Sequence, residues 1–331
     1  MCRRATRTRR RFWRSRPARS SPRRSSRATG SRSRSGIVPE GARFRTVTVV
    51  GLGAVGGSVA KGVLRRLPGV PVFGVDPDGE SSARAARDGV RVVPRLRDCD
   101  IDGGVVVFAA PLDATVRLVR ETAPVWRGAA LTTDVASLKA AVLEAASAAT
   151  ASAACPPAAP GSSPFVGAHP MCGSERSGYP AARADLFDGA RVWLCPAATG
   201  DAASGAEATA RAFWSMLGAR PRTIAAERHD RVMALVSHLP QLLSNALAAT
   251  LEDAGVSTGQ LGPGGRDMTR LAASSPSMWL PLLEAAARDD AAALLAVERR
   301  IAAIRGMLES GDLRGVETLM DRGRRWVSAE G

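Results

Sequence analysis

The chain has 331 residues, 45% hydrophobic but only 4% aromatic, and carries a formal net charge of +15. That length accommodates two domains, and the composition calls for cores of Ala, Val and Leu, which suit buried parallel strands and Ala-rich helices. The charge resembles a nucleic-acid signature until it is located. Residues 1–35 hold fourteen Arg and no acid, and the remaining 32 basic residues face 31 acidic ones, so the body of the chain is nearly neutral.

Residues 1–44 form an Arg-, Ser- and Pro-rich tail that cannot bury enough surface to offset its ordering entropy, and disorder is expected there. The tail has no apolar core of a secretory signal. Salt-sensitive contact with nucleic acid is one reading of it, and an extension without a role is the favoured one. Lys61 and Lys139 are the only lysines and Ala is abundant. Both features suggest a GC-rich coding sequence, in which Arg-rich stretches arise readily.

From Thr46 strands alternate with helices. Strands are predicted at 46–51, 71–76, 104–109 and 130–134, and helices at 54–67 and 80–88, with a helical stretch after each of the later strands. This order predicts an α/β fold with a Rossmann-type doubly wound parallel sheet. Residues 150–163 read as a surface loop. Strands resume at 164–168 and 190–195, and a helix at 206–217 and a short strand at 221–224 complete a first domain over 45–225. Every long segment of 226–331 is helical: 227–254, 266–273, 278–288, 291–309 and 313–327, with a Gly/Pro loop at 262–265. Such a domain suits substrate binding and dimerisation.

The five cysteines (Cys2, Cys99, Cys155, Cys172, Cys195) are scattered without a CxxC pair. That argues for reduced thiols in a cytoplasmic protein, with neither a disulfide framework nor a metal site. No charge-free apolar run of about 20 residues is read, so no membrane span is expected.

Gly51-Leu52-Gly53-Ala54-Val55-Gly56 is G-x-G-x-x-G, a weak pattern alone but meaningful between a strand and a helix. Gly51 permits the tight turn, Gly53 the approach of a pyrophosphate, and Gly56 close helix–strand packing. Asp76, ending the second strand, is placed to accept hydrogen bonds from adenosine ribose hydroxyls. No Arg follows in Pro77-Asp78-Gly79 to hold a 2′-phosphate, so NAD is expected over NADP. Pro111, just past the strand at 104–109, is taken with these as a cofactor-binding residue.

Of three histidines, His169 lies past a strand at the sheet edge where ligands bind in such folds; it is either catalytic or a plain turn residue. Ser137 follows another strand and is equally a nicotinamide neighbour or a helix N-cap. His229 and His238 share one predicted helix nine residues apart, on different faces, and His229 is read as structural or surface.

The motifs GLGAVGGS (51–58), DVASLK (134–139), HPMCGSERSG (169–178), SHLPQ (237–241) and RDMTRLAASSPSMW (266–279), in this order, resemble the prephenate and arogenate dehydrogenases of tyrosine biosynthesis. The resemblance runs from Thr46 to the C-terminus and leaves no room for a mutase or regulatory domain, so it implies the monofunctional form. It implies NAD-dependent oxidative decarboxylation of prephenate, with arogenate as the alternative, by a homodimer joined through the helical domain. It further implies His169 as the catalytic histidine on the ring hydroxyl and Ser137 as the serine orienting it. His238 and Arg270 would bind substrate, and Glu175 and Asp267 would complete the ionic network of the site. Gln241 departs from the family, where a histidine often ends the SHLPH motif, and this leaves the preferred substrate open. Two rival readings remain: a β-hydroxyacid or imine-type dehydrogenase, and a non-catalytic NAD-binding protein with a nucleic-acid arm.

Overall fold

The computed structural model describes residues 44–151, 165–173, 176–197 and 201–329, with only the backbone at 201–203. The tail up to residue 43, the loop expected at 150–163 beyond residue 151, and Glu175 lie outside the described residues. In chain order come β1 (Val47–Val50), α1 (Ala54–Arg66), β2 (Val72–Val75), α2 (Gly79–Arg87), β3 (Arg91–Val92) and β4 (Val105–Phe108). They are followed by α3 (Leu112–Glu121), α4 (Ala123–Trp126), β5 (Leu131–Asp134), α5 (Ala140–Ala151), β6 (Phe165–Pro170), β7 (Arg191–Pro196), α6 (Asp201–Met216) and β8 (Arg220–Thr223).

These strands make one eight-stranded sheet in the order β3-β2-β1-β4-β5-β6-β7-β8. The strands from β3 to β6 run parallel, as expected of a doubly wound sheet. β7 pairs antiparallel with β6, and β8 runs parallel to β7, so the last two strands depart from the all-parallel expectation. A parallel return needs a long crossover, normally a helix, and the described segment between β6 and β7 holds only a single 3₁₀ turn at Tyr179–Ala181.

Both faces of the sheet are covered. Along β4 the side chains alternate: Val105 and Val107 pack with Val59 and Val63 of α1 and with Phe213 and Trp214 of α6. Val106 and Phe108 pack with Leu112 and Val119 of α3 and Val142 of α5. This period of two, apolar on both sides, explains why the strands read as continuous β-branched runs. The chain leaves β1 toward β2 and later returns to β4 on its other side. The strand order therefore reverses between β1 and β4, and a crevice is expected at their carboxyl ends.

The helical half comprises α7 (Ala226–Met233), a wide π-helical turn (Ala234–His238), α8 (Leu239–Asp253), α9 (Pro263–Thr269), α10 (Pro276–Glu309) and α11 (Leu313–Ser328). The π turn has a local cause. Pro240 brings no N–H to the ladder, and its ring crowds the carbonyl of Val236 four residues earlier. The helices expected separately at 278–288 and 291–309 are one helix, α10, of 34 residues. Asp289-Asp290 does not break it, because Asp290 turns inward, buried, and pairs with His238.

The stretch Ala226–Asp253 is long and apolar enough, with hydropathy 1.3, to cross a membrane by composition alone; this corrects the expectation that no such run exists. Along it His229, Asp230, His238, Gln241 and Ser244 are nevertheless buried, and each bonds to protein partners. One face of this span is therefore packed against the rest of the protein, while Leu235 and Val236 on it stay exposed.

Candidate active site

At the β1–α1 turn each glycine answers a different demand. Gly51 has φ +99°, and a Cβ there would meet the Ala109 carbonyl oxygen at 2.6 Å, so the turn presses against the end of β4. A Cβ on Gly56 would strike the Gly51 carbonyl oxygen at 1.9 Å, whereas a Cβ on Gly53 would meet nothing within 4 Å. Gly51 and Gly56 thus serve close packing, and Gly53 borders open space. Gly53 is also the N-cap of α1, and no side chain caps it. Backbone N–H groups at a helix start, next to open space, are a ready site for a pyrophosphate.

Asp76 closes the turn from β2. Its Oδ2 accepts the Leu52 N–H at 2.5 Å and its Oδ1 accepts the Asp78 N–H at 2.7 Å. This supporting role was not foreseen, yet each carboxylate oxygen keeps a second lone pair for a ribose hydroxyl. The first arginine beyond it, Arg84, is engaged by Glu80 at 2.7 Å. Pro111 caps α3 at the same edge and is exposed. This glycine cradle and carboxylate fit a nicotinamide dinucleotide with a free adenosine ribose. Among the described residues no cluster of three or more His, Cys, Asp or Glu could hold a metal ion.

The carboxyl end of β5 carries a buried ion pair. Lys139, wholly buried, bonds its Nζ to Asp134 Oδ2 and, at 2.8 Å, to the Ala168 carbonyl oxygen. The other carboxylate oxygen of Asp134 accepts the Ala168 N–H at 3.0 Å, and Oδ2 also accepts the Ala136 N–H at 2.9 Å. Burial pushes Asp134 upward, while Lys139 and the two N–H groups pull it back. The pair staples β5 to β6 and so fixes the residue after Ala168, which is His169.

His169 is half-buried. Its Nδ1 lies 3.0 Å from His229 Nε2, and the rings meet edge to face at 5.1 Å. His229 is fully buried, and its Nδ1 lies 2.7 Å from Asp230 Oδ1. The surface alternative for His229 is thereby overturned. Asp230 also accepts the Lys139 and Ala140 N–H groups, each at 2.8 Å, and thus caps α5 from another helix. Ser137 is half-buried; it is not the cap of α5, and no hydrogen bond joins it to a described residue.

Burial, then the charge of Lys139, then His229 and His238, hold His169 well below the ordinary histidine range. At neutral pH it is therefore an uncharged imidazole, able to accept a proton. His238, at the end of the π turn, is nearly buried, bonds Asp290 at 2.9 Å and meets the Trp279 ring edge-on at 5.7 Å. Asp267 on α9 and Arg270, opening the following 3₁₀ turn, are exposed. Their segment is held on α8 by Gln241 donating to the Leu271 carbonyl at 2.8 Å and by the Ala272 N–H donating to Ser244 at 3.0 Å. The structure thus gathers His169 and His238 with Lys139 and Asp230, neither of them a candidate from the sequence, and with His229, read from the sequence as structural or surface. π-helical turns tend to occur at functional sites, but single sequences do not advertise them.

Residues 59–222 match the nucleotide-binding domain of prephenate dehydrogenase, and residues 225–322 match its dimerization domain. A prephenate dehydrogenase of Bacillus subtilis is 31% identical over 247 residues, 72% of this chain and 63% of that protein; the chain spans less than two thirds of that relative. A cyclohexadienyl dehydrogenase of Zymomonas mobilis is 28% identical, over 72% of this chain and 80% of its own length. The structure of prephenate dehydrogenase from A. aeolicus, in complex with hydroxyphenyl propionate and NAD+, superposes with a TM-score of 0.75 at 24% identity. It covers 86% of this chain and 98% of that one, and shares the fold. The two domain matches, contiguous but for two residues, show that the chain belongs to the prephenate dehydrogenase family.

Proposed function

We propose that the chain oxidises prephenate with NAD+ and releases CO₂ and 4-hydroxyphenylpyruvate, a step of tyrosine biosynthesis in the cytoplasm. The observation that carries this reading is His169: a neutral, half-buried imidazole at the sheet edge that also bears the glycine cradle. NAD+ supplies the hydride acceptor when bound, held by Gly51, Gly53, Gly56, Asp76 and Pro111. His169 takes the proton of the ring hydroxyl as the C–H pair departs as hydride, and the oxygen pair becomes a carbonyl. The ring carboxylate then leaves as CO₂, its bonding pair enters the ring, and the carbonyl oxygen takes up a proton as the ring becomes aromatic.

His238 and Arg270 bind the substrate, the guanidinium pairing with a carboxylate. Asp267 and Glu175 order the charges around them, and Ser137 faces the nicotinamide end. Residues 45–225 serve as the cofactor domain and 226–331 as the substrate and dimerisation domain. The exposed apolar side chains of α10 and α11, among them Ile301, Leu308, Met320 and Trp326, support a homodimer through that half.

Arogenate is the second reading, because Gln241 stands in place of the histidine frequent in the family and leaves the preferred substrate open. Following NADH absorbance of the full chain with NAD+ and each substrate tests both. Reduction with prephenate is expected; reduction with arogenate alone moves the substrate, and none with either contradicts the reading.

A further inference from the structure

Among buried titratable groups that the proposed chemistry leaves unused, His229 is set apart by its geometry. It stands between His169 and Asp230 and is closed to solvent. Asp230 receives three donors: the Lys139 N–H, the Ala140 N–H and the ring of His229. Both of its oxygens are engaged as acceptors at the N-terminus of α5, a position that favours a carboxylate.

A carboxylate only accepts, so His229 Nδ1 must carry a hydrogen and donate it. A neutral His229 then has a bare Nε2, which accepts. For uncharged His229 the hydrogen of the 3.0 Å contact is therefore supplied by His169 Nδ1. His169 is thereby left with its lone pair on Nε2.

We infer that His229 is a positioning residue for His169: the line His169–His229–Asp230 selects the tautomer whose Nε2 is free to take the substrate proton. The inference rests on the reading of His169 as the proton acceptor. The same line serves after transfer, because imidazolium His169 keeps its Nδ1–H donated to His229 and its ring orientation is unchanged. Asp230 is anchored to the chain segment that supplies Lys139, so the line joins α7 of the helical half to the sheet edge through hydrogen bonds alone.

Three histidines in the chain make the tautomers readable by ¹⁵N NMR on the full-length protein labelled at histidine, with His169→Asn assigning the signal. In the unaltered chain His169 is expected with hydrogen on Nδ1 and a bare Nε2. In His229→Leu it should revert toward hydrogen on Nε2, the ordinary preference of a free imidazole. With NAD+ and prephenate the same variant should lose on the order of 10²-fold in kcat, with KM for either within about twofold. His229→Gln places an amide oxygen near the lost Nε2 and should recover most of that loss. If His229→Leu fails to fold, the Gln variant and the tautomer of the unaltered chain still decide. A bare Nδ1 on His169, a tautomer indifferent to residue 229, or a His229→Leu kcat within twofold of normal overturns the inference. Because the tautomer is read without substrate, a chain inactive on prephenate but with this tautomer pattern would count against the substrate reading and not against the line.

Discussion

The sheet half and the helical half settle their apolar surface in opposite ways. Around the sheet, β1, β4 and β5 are buried along their whole length, and two apolar clusters seal the faces with side chains from α1, α3, α5 and α6. From Leu235 onward the helices leave Leu, Met, Ile and Trp exposed: Leu280 is 63% exposed, Met320 71% and Trp326 71%. Of the fourteen large hydrophobics so exposed among the described residues, only Met171 belongs to the sheet half. One half is a finished core; the other is the shape of a body that still has a surface to cover. The proposed site sits where they meet, with His169 on β6 and its partners His229 and Asp230 on α7.

The comparison has consequences of decreasing size. The largest is chemical: His169→Asn should lower turnover by about 10²- to 10⁴-fold while NAD+ binding, read by fluorescence titration, survives. Next is the staple in the finished half. Lys139→Met leaves Asp134 buried without its cation, which costs about 3–5 kcal/mol, measurable as a lower urea midpoint. In the unfinished half, Trp326→Glu should turn a dimer into a monomer in sedimentation velocity and lower a concentration-dependent Tm. A wild-type chain that is already monomeric at micromolar concentration would break the comparison.

The glycine pair gives a finer contrast. Gly56→Ala must displace backbone at 1.9 Å and should destabilise the fold, whereas Gly53→Ala meets open space. The latter should leave stability nearly unchanged yet weaken NAD+ about tenfold, on the order of 1.4 kcal/mol. The smallest effect concerns pH. His169 is held well below 6.5, so kcat/KM should persist through pH 6.5 and decline only under more acid conditions. Between the two values the unfolded chain binds a proton that the folded chain refuses. Stability should therefore fall as pH drops below about 6.5.

The same contrast governs what the sequence discloses. Strands buried on both faces read as runs such as VTVV and VVVF, and all seven predicted strands lie within a residue or two of their observed positions. β3, two residues at the sheet edge and beginning with Arg91, carries no such run. The reversal of β7 is a property of its connection and not of its composition.

In the helical half, tertiary pairing overrides local cues. Asp290 reads as a helix breaker but is tied to His238. His229 was misplaced for a definable reason. Nine residues along a helix of about 3.6 per turn make two and a half turns and put two rings on opposite faces. The π turn between them absorbs extra residue length and brings both rings toward His169. The glycine fingerprint and His169 were legible because their chemistry depends on residue type. The partners of His169 depend on a helical phase that no residue type records.

The most direct test of the account is simultaneous measurement of NADH and CO₂ from the full chain given NAD+ and prephenate, beside His169→Asn. One CO₂ for each NADH, with both lost together in the variant, is the predicted result. A variant that folds, binds NAD+ and turns over at the normal rate would contradict it.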